Sequence, residues 1–187
     1  MTDDLSRAIA AECGRLGIGV LPDVPPRLAA YAASLWSWNE RLNLTRHVDP
    51  VTFVCRDVAD AAGIVPHLAH GERVLDVGTG GGVPGVILAI LRPDLRVELC
   101  DSVAKKARAV ADIVRTAGVE VPVHAATAQA VVADRPHGPD RFDTLVARAV
   151  APLPKLLGWF PPLTGSFGRL IVVKGPRWEE ERDDARL

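Results

Sequence analysis

The sequence predicts an α/β protein: a Rossmann-like, doubly wound, mostly parallel sheet with a helical extension in front of it. Three observations carry that reading. Up to about Gly71, apolar residues recur at helical spacing. From Arg73 onward, short apolar β-runs alternate with helical stretches, the pattern of a parallel sheet covered on both faces. Between the two, the run Val74-Leu75-Asp76-Val77 opens into Gly78-Thr79-Gly80-Gly81-Gly82, a strand feeding a glycine turn and then a helix. Residues 1–70 are expected to form the helical extension, packed on the core, and residues 71–187 the α/β domain.

The elements follow in order. Thr2 can cap a first helix, whose stripe is Leu5, Ile9, Cys13 and Leu16 and whose stop is Gly17. Pro25-Pro26 opens a second, with Leu28, Tyr31, Leu35, Trp38 and Leu42 at helical spacing. Trp36 and Trp38 read as packing residues rather than as platforms for stacked bases. Asp49-Pro50 is a cap followed by proline at the first helical position, so a third helix runs from there to about Ala62 and ends at Gly63.

Strand 1 is Arg73–Val77, and its helix runs to Leu91. Arg92-Pro93-Asp94 breaks the chain before strand 2, Arg96–Cys100. Ser102 is expected to cap a helix through Ala117, with Gly118 as its stop. Strand 3 is Glu120–His124, followed by a short helix from about Thr127. A polar loop, Arg135 to Asp140, leads to strand 4, Phe142–Ala147. A helix bounded by Pro152 and Pro161, strand 5 at Arg169–Lys174 and a charged helix from near Trp178 complete the chain.

Size and composition exclude several classes. The chain has 187 residues, 48% hydrophobic and 24% charged, which fits an ordinary globular core and not a disordered, collagenous or coiled-coil chain. A formal net charge of -1 means that a nucleic-acid partner must be held by local patches. Cys13, Cys55 and Cys100 are scattered, giving neither a disulfide framework nor a paired zinc spacing, so no metal is expected. The longest uncharged apolar run, Val83 to Leu91, is far short of the roughly 20 residues that span a bilayer. The acidic start, Met-Thr-Asp-Asp, has the wrong sign for a signal peptide. The expectation is a soluble, cytoplasmic monomer with no membrane partner.

Four glycines in five positions build a ligand cradle, because glycine lets the backbone approach a ligand and the following helix offers free N–H groups. Gly80, Gly82 and Gly85 match the dinucleotide fingerprint G-x-G-x-x-G, but the first glycine after the strand is Gly78. Gly78, Gly80 and Gly82 give G-x-G-x-G instead, and Asp76 at the strand end suits a cofactor end that carries an amine. This resembles motif I of the class I S-adenosylmethionine-dependent methyltransferases. A nicotinamide-dependent reductase of similar topology is the competing reading. Asp101, ending strand 2 beside the switch point, can accept both ribose hydroxyls, with Ser102 beside it. Thr127-Ala128, after strand 3, lies where an adenine end should sit.

A more specific resemblance rests on Leu42-Asn43-Leu44-Thr45, Arg56 and Asp60, Asp76-Val77-Gly78-Thr79-Gly80, Pro84-Gly85 and Arg92-Pro93. It continues through Asp101-Ser102 with Lys105-Lys106, then Arg148-Ala149 and Lys174-Gly175. Together they resemble the bacterial 16S rRNA (guanine-N7)-methyltransferase G family, also called the glucose-inhibited division protein B family, over nearly the whole chain from about residue 28. The resemblance implies S-adenosylmethionine as cofactor and methyl transfer to N7 of a guanosine in 16S ribosomal RNA, naked or in the small ribosomal subunit. It maps the family's cofactor contacts onto Gly78, Val83, Thr127, Ala128 and Arg148. Asn43, Arg148 and Lys174 are the positioning candidates, and no general base is expected, since guanine N7 carries a free lone pair. The five histidines, His47, His67, His70, His124 and His137, are scattered and read as structural or solvated. Arg41, Arg46, Arg56, Lys105, Lys106 and Arg108 are the candidate phosphate contacts.

Two departures stand out. Where the family shows Arg-His and then Asp-Ser, this chain has Arg56-Asp57 and Asp60-Ala61, with Arg56 and Asp60 one turn apart and able to pair. Five strands are counted before Leu187, where the class normally carries two more, so two alternatives stand: the α/β domain is truncated at its carboxyl end, or the family's last hairpin is absent. These departures keep a third reading open, a cofactor-binding protein that has lost catalysis.

Overall fold

A computed structural model describes residues 2–135, 138, 140–160, 165–176 and 178–185. Helix α1 (Thr2–Arg15) buries Ile9 and Cys13, and Gly17, at φ +68°, turns the chain out of it. Helix α2 (Val24–Asn39) begins with prolines in its first turn, where their missing N–H groups cost nothing, and buries Leu28, Tyr31 and Leu35.

The third helical region is more irregular than its sequence pattern. Asp49 caps α3 (Pro50–Thr52) by accepting the Thr52 N–H at 2.9 Å. The chain then widens into a π-helical stretch, Phe53–Val58, before returning to α4 (Ala59–Ile64) and a 3-10 turn, Val65–His67. Gly63 therefore lies inside a helix and does not end it. Burial of the next residue, Ile64, carries the helix past it.

The sheet has five parallel strands in the order β3-β2-β1-β4-β5: β1 (Arg73–Val77), β2 (Arg96–Cys100), β3 (Val123–His124), β4 (Phe142–Arg148) and β5 (Phe167–Val173). The chain winds outward from β1 through β2 to β3, then returns to lay β4 on the other side of β1. The order thus reverses between β1 and β4, where open α/β sheets bind ligands beyond their carboxyl ends. Val77 pairs with both Cys100 and Ala147, so the three central strands end within one residue of one another.

Three strands differ from expectation in their limits. Strand 3 shrinks to two residues because Pro122 has no N–H to give the ladder and contributes only its carbonyl, to Leu99 N. Strand 4 extends to Arg148, which pairs with Val173 of β5. Strand 5 starts earlier, where Phe167 pairs with Phe142, and stops at Val173, so Lys174 follows the strand.

Helices α5 (Gly85–Leu91), α6 (Ala104–Thr116), α7 (Ala128–Ala133), α8 (Leu153–Leu157) and α9 (Trp178–Ala185) connect or follow the strands. On one face, Leu28, Tyr31 and Leu35 of α2 join Phe53, Val54, Val86, Ile87 and Ile113 in a single apolar cluster. On the other, Leu75 and Val77 meet Val131, Val132, Leu156 and Phe160. The N-terminal helices thus complete one side of the sheet. Trp36 packs edge-on to Phe53, and Trp38 donates its indole N–H to Asp112 at 2.8 Å, so both have the packing role expected.

Ser102 does not cap α6. Asp101, one residue earlier, takes the Val103 N–H at 2.8 Å, and the helix begins at Ala104 behind Val103. No helix among the described residues is long and apolar enough to cross a membrane, and no group of His, Cys, Asp or Glu among them could hold a metal ion. His137 and Pro161 lie outside the described residues.

Candidate active site

A cleft of about 820 Å³ opens at the carboxyl ends of β1, β4 and β5. Its floor is the glycine turn, Gly78 to Gly81 with Val83. One wall is Leu44, Thr45 and His47 with Cys55, Arg56 and Asp60; the other is Arg148 to Pro152, Lys174 and Glu181.

The turn is built from inside the protein. Gly78 sits at φ +65°, and a Cβ there would stand 2.9 Å from Val150, so any side chain meets both strain and a neighbour. Thr79 N donates to Cys100 O at 2.9 Å, tying the turn to the end of β2. Asp76 is fully buried and holds the turn closed. Its Oδ2 accepts the Thr79 hydroxyl at 2.6 Å and the Gly85 N–H, the first of α5, at 2.9 Å. Burial pushes its carboxyl up to about 6, against the downward pull of those two donors. Its Oδ1 is buried with no partner among the described residues. At Gly85 the approach is closest: a Cβ would lie 2.3 Å from Leu99 Cδ2 and 2.7 Å from Asp76 Cβ.

From the second strand, Asp101 Oδ2 accepts Gly80 N at 3.1 Å. From α2, the Tyr31 hydroxyl donates to Gly81 O at 2.8 Å. Burial, then the charges of Asp57 and Asp76, hold that phenol well above its ordinary pKa, which keeps it a donor.

Above the turn, Arg148 is the centre of an ionic cluster. Its guanidinium lies 2.7 Å from Asp57 Oδ1 and 2.9 Å from Asp60 Oδ2. Burial alone would lower its pKa; the two carboxylates more than offset this. Asp57 Oδ1 also meets His47 Nδ1 at 2.8 Å. The expected Arg56–Asp60 pair does not form, because Asp60 is taken by Arg148. Arg56 is exposed at the cleft and makes no hydrogen bond or ion pair among the described residues. Ala149, the next residue after Arg148, has φ +54°, a strained conformation for a residue with a Cβ and a common one at functional sites.

Of the residues singled out in the sequence, Gly78, Gly80, Val83, Arg148 and Lys174 line the cleft. Lys174 Nζ is held by Ala151 O at 2.8 Å and Glu181 Oε2 at 2.5 Å. Asp76, Gly82 and Asp101 support the turn from behind, Gly82 against Tyr31 and Val86. Ser102 is exposed. Thr127 caps α7 through Ala130 N at 3.3 Å, with Ala128 buried beside it, and neither is on the cleft wall. Asn43 is exposed and also off the wall; the residue that shapes its loop is Asn39, whose Oδ1 accepts Leu44 N at 2.8 Å and Thr45 N at 2.9 Å. Sequence reasoning missed Asn39, Tyr31 and His47. For His47 the available signal was its place just after Asn43-Leu44-Thr45.

The parallel sheet, the switch point and the glycine turn gripped by two carboxylates define the class I S-adenosylmethionine-dependent methyltransferase fold. The Bacillus cereus O-methyltransferase, solved in complex with SAH, shares it: the TM-score is 0.54 over 72% of this chain and 61% of that one, at 20% identity. The chain belongs to the GidB family, rRNA small subunit methyltransferase G, whose family model matches residues 25–186. The ribosomal RNA small subunit methyltransferase G of Rhodopirellula baltica is 44% identical over 159 residues, 85% of this chain and 67% of that protein. That of Pseudomonas aeruginosa is 39% identical over 182 residues, 96% of this chain and 80% of that protein. The family resemblance drawn from the motifs therefore holds. The nicotinamide-dependent reductase and the lapsed cofactor-binding protein are not favoured.

Proposed function

We propose that this chain transfers a methyl group from S-adenosylmethionine to N7 of a guanosine in the 16S ribosomal RNA of the small ribosomal subunit. The observation that carries the reading is the cleft at the switch point. It sets the glycine turn at its floor beside the cationic groups of Arg56 and Lys106, with Arg148 held above the turn by Asp57 and Asp60. The residues present suit the cofactor. Gly78 and Gly80 put backbone without side chains on the cleft floor, and two carboxylates, Asp76 and Asp101, lie directly behind the turn.

S-adenosylmethionine, when bound, supplies an electrophilic methyl group on a sulfonium. Gly78, Gly80, Gly82 and Val83 would let backbone approach it. Asp101 and Ser102 would face the ribose, and Thr127 and Ala128 the adenine end. Asp76 would serve the amine end chiefly by fixing Thr79 and α5 in place. Asn43, Arg148 and Lys174 would position the RNA. N7 of guanine has an in-plane lone pair at neutral pH, so the chain's task is alignment and exclusion of water, with no proton to remove.

The test is incubation of the protein with 16S ribosomal RNA and isotope-labelled S-adenosylmethionine. Label should enter RNA, and mild reduction followed by aniline should cleave the product at a modified guanosine. Label on an exocyclic amine or a ribose oxygen would overturn the N7 assignment.

A further inference from the structure

His47 is the one histidine on the cleft wall among the described residues, and it is held from three directions. Its backbone N–H donates to Thr45 Oγ1 at 3.0 Å, and its carbonyl accepts the Trp36 indole N–H at 2.8 Å. Its ring Nδ1 lies 2.8 Å from Asp57 Oδ1. Asp57 is completely buried, whereas the His47 side chain is 26% exposed. Nε2 makes no hydrogen bond among the described residues and is not one of the buried polar atoms without a partner, so this nitrogen is accessible. Because the carboxylate accepts, Nδ1 carries the hydrogen, and neutral imidazole then presents a lone pair at Nε2. Asp57 is fixed in turn by Arg148 at 2.7 Å, and Arg148 by Asp60 at 2.9 Å. The backbone of His47 is thus held at both ends, and its ring is oriented through one nitrogen by a buried carboxylate.

We propose that His47 is a base-contacting residue of the methyl transfer, its Nε2 facing the guanine that enters the cleft; the proposal rests on the functional reading above. In the reaction, the N7 lone pair forms the new N–C bond while the S–C bond breaks onto sulfur. No proton moves, and one positive charge passes from the sulfonium to the purine. The N–H groups of a purine that gains positive charge become stronger donors. An imidazole lone pair backed by a buried carboxylate accepts from them more strongly in the transition state than in the ground state, which is the condition for raising the rate.

The test uses the intact chain with His47→Asn and His47→Gln. Each keeps an amide N–H for Asp57 and lacks the second ring nitrogen, so a structural role survives in at least one of them. Three quantities are measured for each: melting temperature, S-adenosylhomocysteine affinity by calorimetry, and single-turnover methyl transfer across a range of 16S RNA concentrations. The folded variant should keep its cofactor affinity while kcat/KM for RNA falls about 10- to 100-fold, with part of the loss in kcat, as for a hydrogen bond that strengthens in the transition state. Wild-type methylation by a folded variant would overturn the proposal and leave His47 a structural residue. A matching loss of cofactor affinity would also overturn it, placing His47 in the cofactor site. Wild-type protein that binds S-adenosylhomocysteine but leaves RNA unmethylated would overturn the functional reading, and the proposal with it.

Discussion

Replacing Asp76 with asparagine tests the account of the glycine turn through its pH dependence. Asparagine keeps an oxygen for the Thr79 hydroxyl and the Gly85 N–H but cannot ionise. In the folded protein, burial raises the Asp76 carboxyl from 3.8 to about 6. The folded state thus binds this proton more tightly than the unfolded chain does. The stability that Asp76 contributes is complete below about 3.8 and is lost as pH rises through about 6. The whole span is about 3 kcal/mol at 1.36 kcal/mol per pKa unit. About 1.4 kcal/mol of it falls between pH 7 and 5, and about 2.4 kcal/mol between pH 7 and 4. Asp94, Asp49 and Asp112 have lowered pKa values and act in the opposite sense, but they are common to both proteins and cancel in the difference. Urea unfolding of wild type and Asp76→Asn at pH 7, 6 and 5 gives that difference directly. Wild type should gain on the variant by about 1.4 kcal/mol from pH 7 to 5, or about 3–5 °C in melting temperature. A difference that stays flat over this range would refute the assignment of a raised pKa to Asp76 and the burial argument behind it.

Asp101→Ala removes the acceptor of Gly80 N and Val103 N and should weaken S-adenosylhomocysteine binding by about 1–3 kcal/mol in calorimetry. Unchanged affinity in a folded variant would put the ribose elsewhere. Gly85→Ala drives a Cβ into Leu99 and Asp76 and should cost about 3 kcal/mol in chemical denaturation; a neutral effect would mean that α5 can back away from β1. Changing Lys105 and Lys106 together to alanine should reduce the salt dependence of RNA binding. The slope should fall by about 0.7 for each single-strand phosphate that the two lysines neutralise. An unchanged slope would place the RNA on another face.

Much of this protein is legible locally. The limits of β1 and β2, the glycine turn, the Asp49 cap and the last residue of α5 all follow from patterns within a few residues, and the structure has them where the sequence puts them. Strand burial, helical periodicity and caps are short-range properties, so neighbouring residues determine them. The positions of Asp76, next to last in β1, and Asp101, just after β2, were legible for the same reason; that both grip the turn itself came from the structure. Where local rules compete, reading by single residues fails. Asp101 displaces Ser102 at the start of α6, and packing of Ile64 overrides the stop at Gly63.

The ionic cluster at the cleft belongs to the tertiary structure alone. Asp60 and Arg148 are 88 positions apart, and no periodicity links them. Their meeting requires β4 to return beside β1 and the helical region after Pro50 to lie over the carboxyl ends of both strands. Tyr31 reaches Gly81 across 50 positions for a similar reason: α2 covers the sheet face next to the turn. The π-helical stretch is of this kind too. Its sequence, Phe-Val-Cys-Arg-Asp-Val, has ordinary helical character, yet it buries Asp57 while leaving Arg56 at the cleft. A sequence determines which segments form and what their ends carry. Which distant carboxylate a given arginine or histidine meets depends on the order of strands in the sheet, because only that order brings those side chains within hydrogen-bond range.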